Sequence, residues 1–381
     1  MLKQQKIFFD FLRFCIGSAK EIPDSLKEVD WKELYAIAQK QALLGVLFYG
    51  IRRLPKELAP EQKLLMQWMV MAEQIRKQNI RLFQDSVKVC QNFENEGFAN
   101  CILKGQGNAL LYPDPYMRTP GDIDIYLSGG HWKIMKYVDQ VCPNQVMRYH
   151  HVDFPVMKTA IEVHFTPSYM FFPIHNRRMQ KWFEEVMGEQ CNHRVSLPDG
   201  YGEIHVPQVS FNVIYILSHL YRHIFTEGIG LRQLLDYYFV LVKWHTDLTN
   251  LTDSNKSLPQ MTQINTDLDA LQHKLKYLGL WKFAQAVMFV MKEVFGLSED
   301  RMIAPMDEKE GRFLLDEIMR GGNFGQYDDR MGSKVGESKI HRYFRMNLRN
   351  LRFVKHYPTE ALSEPLFRTW FWTWKKLNVT K

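Results

Sequence analysis

The chain has 381 residues, 46% hydrophobic and 24% charged, the balance of a globular protein rather than a disordered one. Its five cysteines, Cys15, Cys90, Cys101, Cys142 and Cys191, are scattered and never spaced C-x-x-C, which argues against a disulfide framework or a zinc knuckle. The net charge of +7 belongs to residues 338–381, which hold ten Lys or Arg against two Glu, so the body of the chain is close to neutral.

This length predicts two or three domains. No apolar stretch approaches the roughly 20 residues of a membrane span. Asp10 and Arg13 interrupt the first apolar run, so Lys3 to Gly17 reads as an amphipathic helix and the protein as cytoplasmic.

Residues 1–96 read as a helical region. Trp31 to Arg53 places Leu34, Ala38, Ala42, Leu43 and Val46 at helical spacing, and Pro60 to Glu96 reads as one long helix or two stacked ones, ended by Gly97. The pattern then changes, and residues 97–206 read as a mixed α/β unit. Its strands are expected at Ala99–Leu103, Asp122–Leu127, Val146–Tyr149, Val152–Met157 and Ala160–Phe165, with a helix over Trp132–Val141. Helical periodicity returns from Pro207. Val209–Phe225 and Leu231–His245 are expected helices, Thr246–Thr262 a long polar loop, and further helices run to Arg320. The fold class is therefore α+β: a small mixed-sheet core at 97–206, a helical domain at 207–337, and a basic, aromatic-rich segment at 338–381.

The chemistry concentrates between Leu103 and Ile125. Residues i and i+2 of a strand share a face, so Asp122 and Asp124 point together while Ile123 and Ile125 face the core. Paired carboxylates repel unless a cation lies between them, and Mg²⁺ or Mn²⁺ favours such oxygens while leaving positions for phosphates. Alone, a D-x-D pair is more often a solvated strand face. Its context adds Gly105-Gln106-Gly107, a turn between a short strand and a helix, where free N–H groups meet phosphate oxygens. It also adds Glu162, between Ile161 and Val163 on a later strand. Three acids on one small sheet suit a two-metal site, whose ions stand about 3.5–4 Å apart.

The order strand, glycine turn, helix, hDhDh and h[DE]h resembles the DNA polymerase β nucleotidyltransferase superfamily. Leu103-Lys104-Gly105, Tyr112-Pro113-Asp114-Pro115, Arg118 and Asp122-Ile123-Asp124 are more closely similar to a bacterial family of uncharacterised nucleotidyltransferases. His150-His151-Val152-Asp153, Glu162-Val163-His164 and Gly230-Leu231-Arg232-Gln233-Leu234-Leu235-Asp236 fit it too. The resemblance covers about 100–240. It implies a Mg²⁺-dependent (or Mn²⁺-dependent) transfer of a nucleoside monophosphate from a triphosphate to an acceptor hydroxyl, with pyrophosphate leaving. Gly105 and Gly107 then contact the triphosphate, Asp122, Asp124 and Glu162 hold metal, and Glu162 orients the acceptor. Gln106 departs from the usual Gly-Ser or Gly-Gly turn. The rival readings are a D-x-D glycosyltransferase using a nucleotide-sugar and a non-catalytic nucleotide-binding module.

Lys104 and Arg118 are candidates to neutralise phosphate, with an ion pair to Asp114 or Asp122 as the structural alternative for Arg118. His164 shares the strand face of Glu162. His219 and His223 share a helix face, but H-E-x-x-H is absent and packing is the better reading. His150 and His151, adjacent on a strand, are expected to point opposite ways. Arg232 and Asp236, at i and i+4, are expected to pair. Arg342, Arg345, Arg349 and Arg352 form a basic stripe, read as a solvated helix face beside a segment docked through Trp370, Trp372 and Trp374; an anionic partner is the alternative.

Overall fold

The computed structural model describes residues 3–254, 260–330 and 338–378. Three helices come first: α1 (Lys3–Ile16), α2 (Trp31–Lys40) and α3 (Leu44–Ile51). The long α4 (Gln62–Asn95) follows. It buries Leu64, Trp68, Ala72, Ile75, Asn79, Leu82, Phe83, Ser86, Val89, Cys90 and Phe93, a run spaced by one to four residues that keeps one stripe inward. Gly97, at φ +76°, turns the chain out of the helix, where a side chain would strain.

The mixed unit is β1 (Asn100–Leu103), α5 (Gly105–Ala109), β2 (Ile123–Leu127), α6 (His131–Val141), β3 (His151–Asp153), β4 (Ile161–His164), α7 (Pro173–Gln190), β5 (Arg194–Ser196) and β6 (Glu203–His205). The first four strands form one sheet in the order β1-β2-β4-β3, in which only the β2–β4 pair is parallel. Strands β5 and β6 make a separate hairpin. One face of the sheet carries Ile123, Ile125, Leu127, Ile161, Val163 and Val152 into a core shared with Leu82, Phe83, Val89 and Phe93 of α4 and Ile134 and Val138 of α6. The opposite face is left for polar chemistry.

The rest is helical: α8 (Val209–Phe225), α9 (Leu231–Ser254), α10 (Gln260–Tyr277), α11 (Trp281–Phe295), α12 (Glu308–Gly321), α13 (Lys339–Val354) and α14 (Pro358–Asn378). A second core joins Phe8, Leu12, Leu47 and Trp68 to residues of α8, α9, α11 and α12, so the N-terminal helices pack with the C-terminal ones. No described helix is long and apolar enough to cross a membrane.

Three expectations need correction. Val146–Tyr149 is not a strand; only Met147 pairs, through one bridge to Val152. The strand expected at Val152–Met157 is the short β3, because Pro155 has no N–H to continue the ladder beyond Phe154. The loop expected at Thr246–Thr262 is helical up to Ser254 and again from Gln260, with 255–259 outside the described residues. There Thr246 and Thr249 return their hydroxyls to carbonyls of the preceding turn, and Lys243 pairs with Asp247, so the polar side chains serve a solvated helix. Helix α7, unforeseen, is opened by Pro173 and buries Met179, Trp182, Phe183 and Met187.

Candidate active site

The site starts where β1 ends. Lys104 has φ 55° and ψ −131°, a conformation rarely adopted by a residue with a side chain, and it links β1 to α5. Close packing governs the turn that follows. A Cβ on Gly107 would come 2.9 Å from Val206 Cγ1, so any side chain there would have to displace Val206.

Register brings the acids together. Asp124 on β2 lies opposite Glu162 on the parallel β4, and His151 on β3 lies opposite His164. Paired positions share a face, so Asp124, Glu162, His164 and His151 gather on the face away from the apolar core. His164 Nε2 donates to Asp124 Oδ1 at 2.9 Å and lies 3.6 Å from Glu162 Oε2. Lys104 Nζ stands 3.1 Å from the other oxygen, Asp124 Oδ2, and donates to His219 Nε2 of α8 at 3.3 Å. His151 Nδ1 is 3.4 Å from Glu162 Oε2 and 3.2 Å from His150 Nε2. Ligand atoms of Asp124, Glu162 and His164 lie within 4.8 Å of one another, as do those of His150, His151 and His164, and those of His151, Asp153 and Glu162. Asp122 joins none of these sets. It precedes β2 and is exposed at the lip of the cleft, although protein atoms crowd its carboxyl.

The charges are strongly coupled. Burial alone would raise Asp124, but Lys104 and His164 outweigh it and hold the carboxyl well below the usual range. Glu162 is likewise lowered, the nearby His164 and His151 outweighing burial. Burial disfavours charge on His164, yet its bonds to Asp124 and Glu162 raise its pKa. Asp122 behaves oppositely: the Asp124 charge, then burial, push it up to about 6. Burial holds His151 down to about 3, so the ring beside Glu162 is neutral. Burial also depresses His150 and His219, helped by Arg222 and Lys104 respectively.

Arg118 is buried, in a two-pronged ion pair with Asp236 of α9, at 2.8 Å from Nε to Oδ1 and 2.8 Å from Nη2 to Oδ2. Tyr112 donates to the same carboxylate at 2.7 Å. Asn79 of α4 donates to the carbonyls of Tyr116 and Arg118, fixing the loop that presents them. Asp236 is thus the ion-pair partner of Arg118, rather than of Arg232 as the i, i+4 spacing suggested. Arg232 instead donates to Thr119 O at 3.4 Å and Asn323 Oδ1 at 3.4 Å, and lies over the Phe324 ring.

Lys104, Asp122, Asp124, His150, His151 and Glu162 all open into one polar cleft of about 550 Å³. His150 and His151 therefore face the same cleft, because His150 lies outside β3, where strand alternation does not apply. His219 and His223 line it as well; His223 lies 3.3 Å from Glu227. A narrow recess of about 50 Å³ meets the acids from the other side, lined by Lys104, Gly105, Arg118, Asp122, Asp124 and Arg232. A further cavity of about 650 Å³ is mostly apolar; Gly107, Asn108 and Leu110 line it, and Asp122, Asp124 and Glu162 do not.

The C-terminal arginines turn inward. Arg349 is buried and donates to the carbonyls of Ile224 and Thr226, and Arg352 pairs with Glu317. Arg345 donates to Arg330 O at 3.1 Å. The side chain of Arg342 lies outside the described residues. The stripe read as solvated is therefore largely a set of tethers, whereas Trp370 and Trp372, read as docked, are exposed, at 52% and 59%. What the sequence missed is that α14 reaches the cleft at all: Phe367, Phe371, Trp372 and Lys375 line it, together with Arg148 and Arg222.

The family model described as an uncharacterised nucleotidyltransferase matches residues 27–296, most of the chain, and the chain belongs to that family. It is a nucleotidyltransferase, and a nucleotide is its substrate. No curated protein and no solved structure matches it.

Proposed function

We propose that the enzyme transfers a nucleoside monophosphate from a nucleoside triphosphate to an acceptor hydroxyl, with Mg²⁺ or Mn²⁺ at the acids. The observation that carries this reading is the register of Asp124 against Glu162 on parallel strands, beside the Lys104–Gly107 turn. The donor set fits a divalent cation. Asp124 and Glu162 are held ionised and stand opposite each other in register, and Asp122 adds a carboxyl whose charge nothing beside it relieves fully. When bound there, the cation supplies charge neutralisation for the phosphates and for the departing pyrophosphate.

The protein's own groups do the rest. Lys104 and the first N–H groups of the turn bind phosphate oxygens in the narrow recess, whose wall includes Arg118 and Arg232. Glu162, at the cleft side, accepts the hydrogen bond of the acceptor hydroxyl and orients it. The acceptor oxygen bonds to the α-phosphorus as the bond to pyrophosphate breaks, and the hydroxyl proton passes to Glu162 and then to solvent. Holding both reactants in line is the main contribution expected from such a site. The test is release of pyrophosphate from each triphosphate with Mg²⁺ or Mn²⁺, in wild type and Glu162→Gln. Release that needs both metal and Glu162 supports the reading; equal release by the variant opposes it.

A further inference from the structure

The acids stand where two recesses meet, and the two differ in what they offer. The narrow one holds the glycine turn with Lys104, Arg118 and Arg232, and Arg118 Nη1 is buried there without a partner. Asp236 lines it too and pairs with the other Arg118 nitrogens, so the donor's phosphates meet there that unpartnered Nη1 and Arg232, which has no carboxylate at ion-pair distance among the described residues. Glu162 does not line this recess. Glu162 lines the wider cleft of about 550 Å³, a volume that suits a small molecule.

That wider cleft has its own charge and its own wall. Arg148, Arg222 and Lys375 line it, and among the described residues none of the three has a carboxylate at ion-pair distance. Arg222 is buried, donates to His223 Nε2 at 2.8 Å and lies over the Tyr169 ring. Burial, and then the neighbouring Arg148, lower the pKa of Lys375. Glu227 and Glu364, the other acids on this wall, have His223 and Arg368 as their close partners, with Arg222 and Arg148 acting on Glu227 from farther away. Aromatic rings complete it: Tyr149 and Tyr169 from the α/β unit against Phe367 and Phe371 of α14, with Phe367 stacked on Tyr169 at 5.1 Å. Helix α14 lies beyond residue 296, where the family match ends. The wall facing the catalytic acids is thus supplied in part by a segment the family match does not include.

We propose that this cleft binds the acceptor, and that the acceptor is a small molecule carrying an anionic group, phosphate or carboxylate, beside an apolar or ring-shaped body. The anion is held by Arg148, Arg222 and Lys375, the body lies along the aromatic wall of α14, and a hydroxyl is presented to Glu162. This rests on the nucleotidyl-transfer reading above.

The test separates the two substrates by calorimetric titration of the full chain. The probes are phenyl phosphate, its neutral counterpart phenyl β-D-glucoside, and a non-hydrolysable triphosphate analogue with Mn²⁺. The proteins are wild type and Arg148→Ala/Lys375→Ala, whose side chains are exposed and partly exposed, with circular dichroism to check the fold. The expected result is that phenyl phosphate binds wild type and the glucoside does not. The double variant should then lose roughly tenfold or more in phenyl phosphate affinity while keeping the triphosphate analogue within about twofold. A double variant that loses the triphosphate analogue instead would assign these cations to the donor and overturn the proposal. Wild type that binds the triphosphate analogue but not phenyl phosphate would overturn it alone. Wild type that binds no triphosphate analogue would overturn the underlying reading, and the acceptor assignment with it.

Discussion

Asp122→Asn is the substitution whose effect the electrostatics define most sharply, because its sign should reverse when substrate is present. The Asp122 carboxyl is pushed from 3.8 up to about 6, mainly by Asp124. A gap of that size corresponds to about 3 kcal/mol at full strength. Asp122 is exposed, so solvent screening reduces this to about 1 kcal/mol. The folded protein holds this proton more tightly than the unfolded chain, so the penalty is absent below the ordinary carboxyl pKa and complete above about pH 6. Removing the charge should therefore stabilise the free protein by about 1 kcal/mol at pH 8, or roughly 1–3 °C in the unfolding midpoint, and by nothing at about pH 4. With Mg²⁺ and a triphosphate present the order should invert, because the carboxylate that destabilises the free protein is the one a cation would need. Ligand stabilisation of wild type should also fade as pH drops through about 6. Scanning calorimetry with and without ligand reads all of this. A free variant less stable than wild type at pH 8, or one with the same gain at both pH values, would refute the reasoning.

Three further perturbations follow. Arg118→Ala or Asp236→Ala breaks a buried two-pronged pair and should cost about 3–5 kcal/mol in urea titration, with Arg118→Lys recovering little because lysine lacks the planar fork. Gly107→Ala places a Cβ 2.9 Å from Val206 Cγ1; the expected loss is about 1–3 kcal/mol, and metal-dependent nucleotide binding, measured separately, should weaken as the turn shifts. His164 is held charged by Asp124 and Glu162, so its stabilisation is full at acid pH and is lost as pH rises through its raised pKa. The difference between wild type and His164→Gln in thermal midpoint should accordingly shrink from pH 6 to pH 9; a constant difference would contradict the charged pairing.

Much of the candidate site was legible because its spacing is short. Asp122, Asp124 and Glu162 lie on or beside apolar-alternating strands, and Gly105 and Gly107 mark the turn, so local period alone brings them to notice. The sequence did not indicate that Asp124 and Glu162 stand opposite each other, since register is a property of two strands. Nor did it indicate the partner of Asp236. Arg232 is four residues away on the same helix, whereas Arg118 is distant in sequence and arrives on a loop tied down by Asn79. The loop expected at Thr246–Thr262 failed for a different reason. Thr, Asn and Asp signal turns when they compete for backbone groups, but here the hydroxyls of Thr246 and Thr249 bond back within a helix and the helix persists. The inward turn of Arg349 and the approach of α14 to the cleft depend on packing of distant helices, which composition does not encode.

The central claim, that Asp124 and Glu162 bind a metal–triphosphate complex, is tested most directly by calorimetric titration of ATP, GTP, CTP and UTP in Mg²⁺, Mn²⁺ or EDTA, on wild type, Asp124→Asn and Glu162→Gln. The account predicts that at least one triphosphate binds wild type only when the metal is present, and that Asp124→Asn weakens it by roughly tenfold or more, since a charged ligand is lost. Binding that is unchanged by EDTA and by both substitutions, or no binding of any triphosphate with either metal, would contradict it.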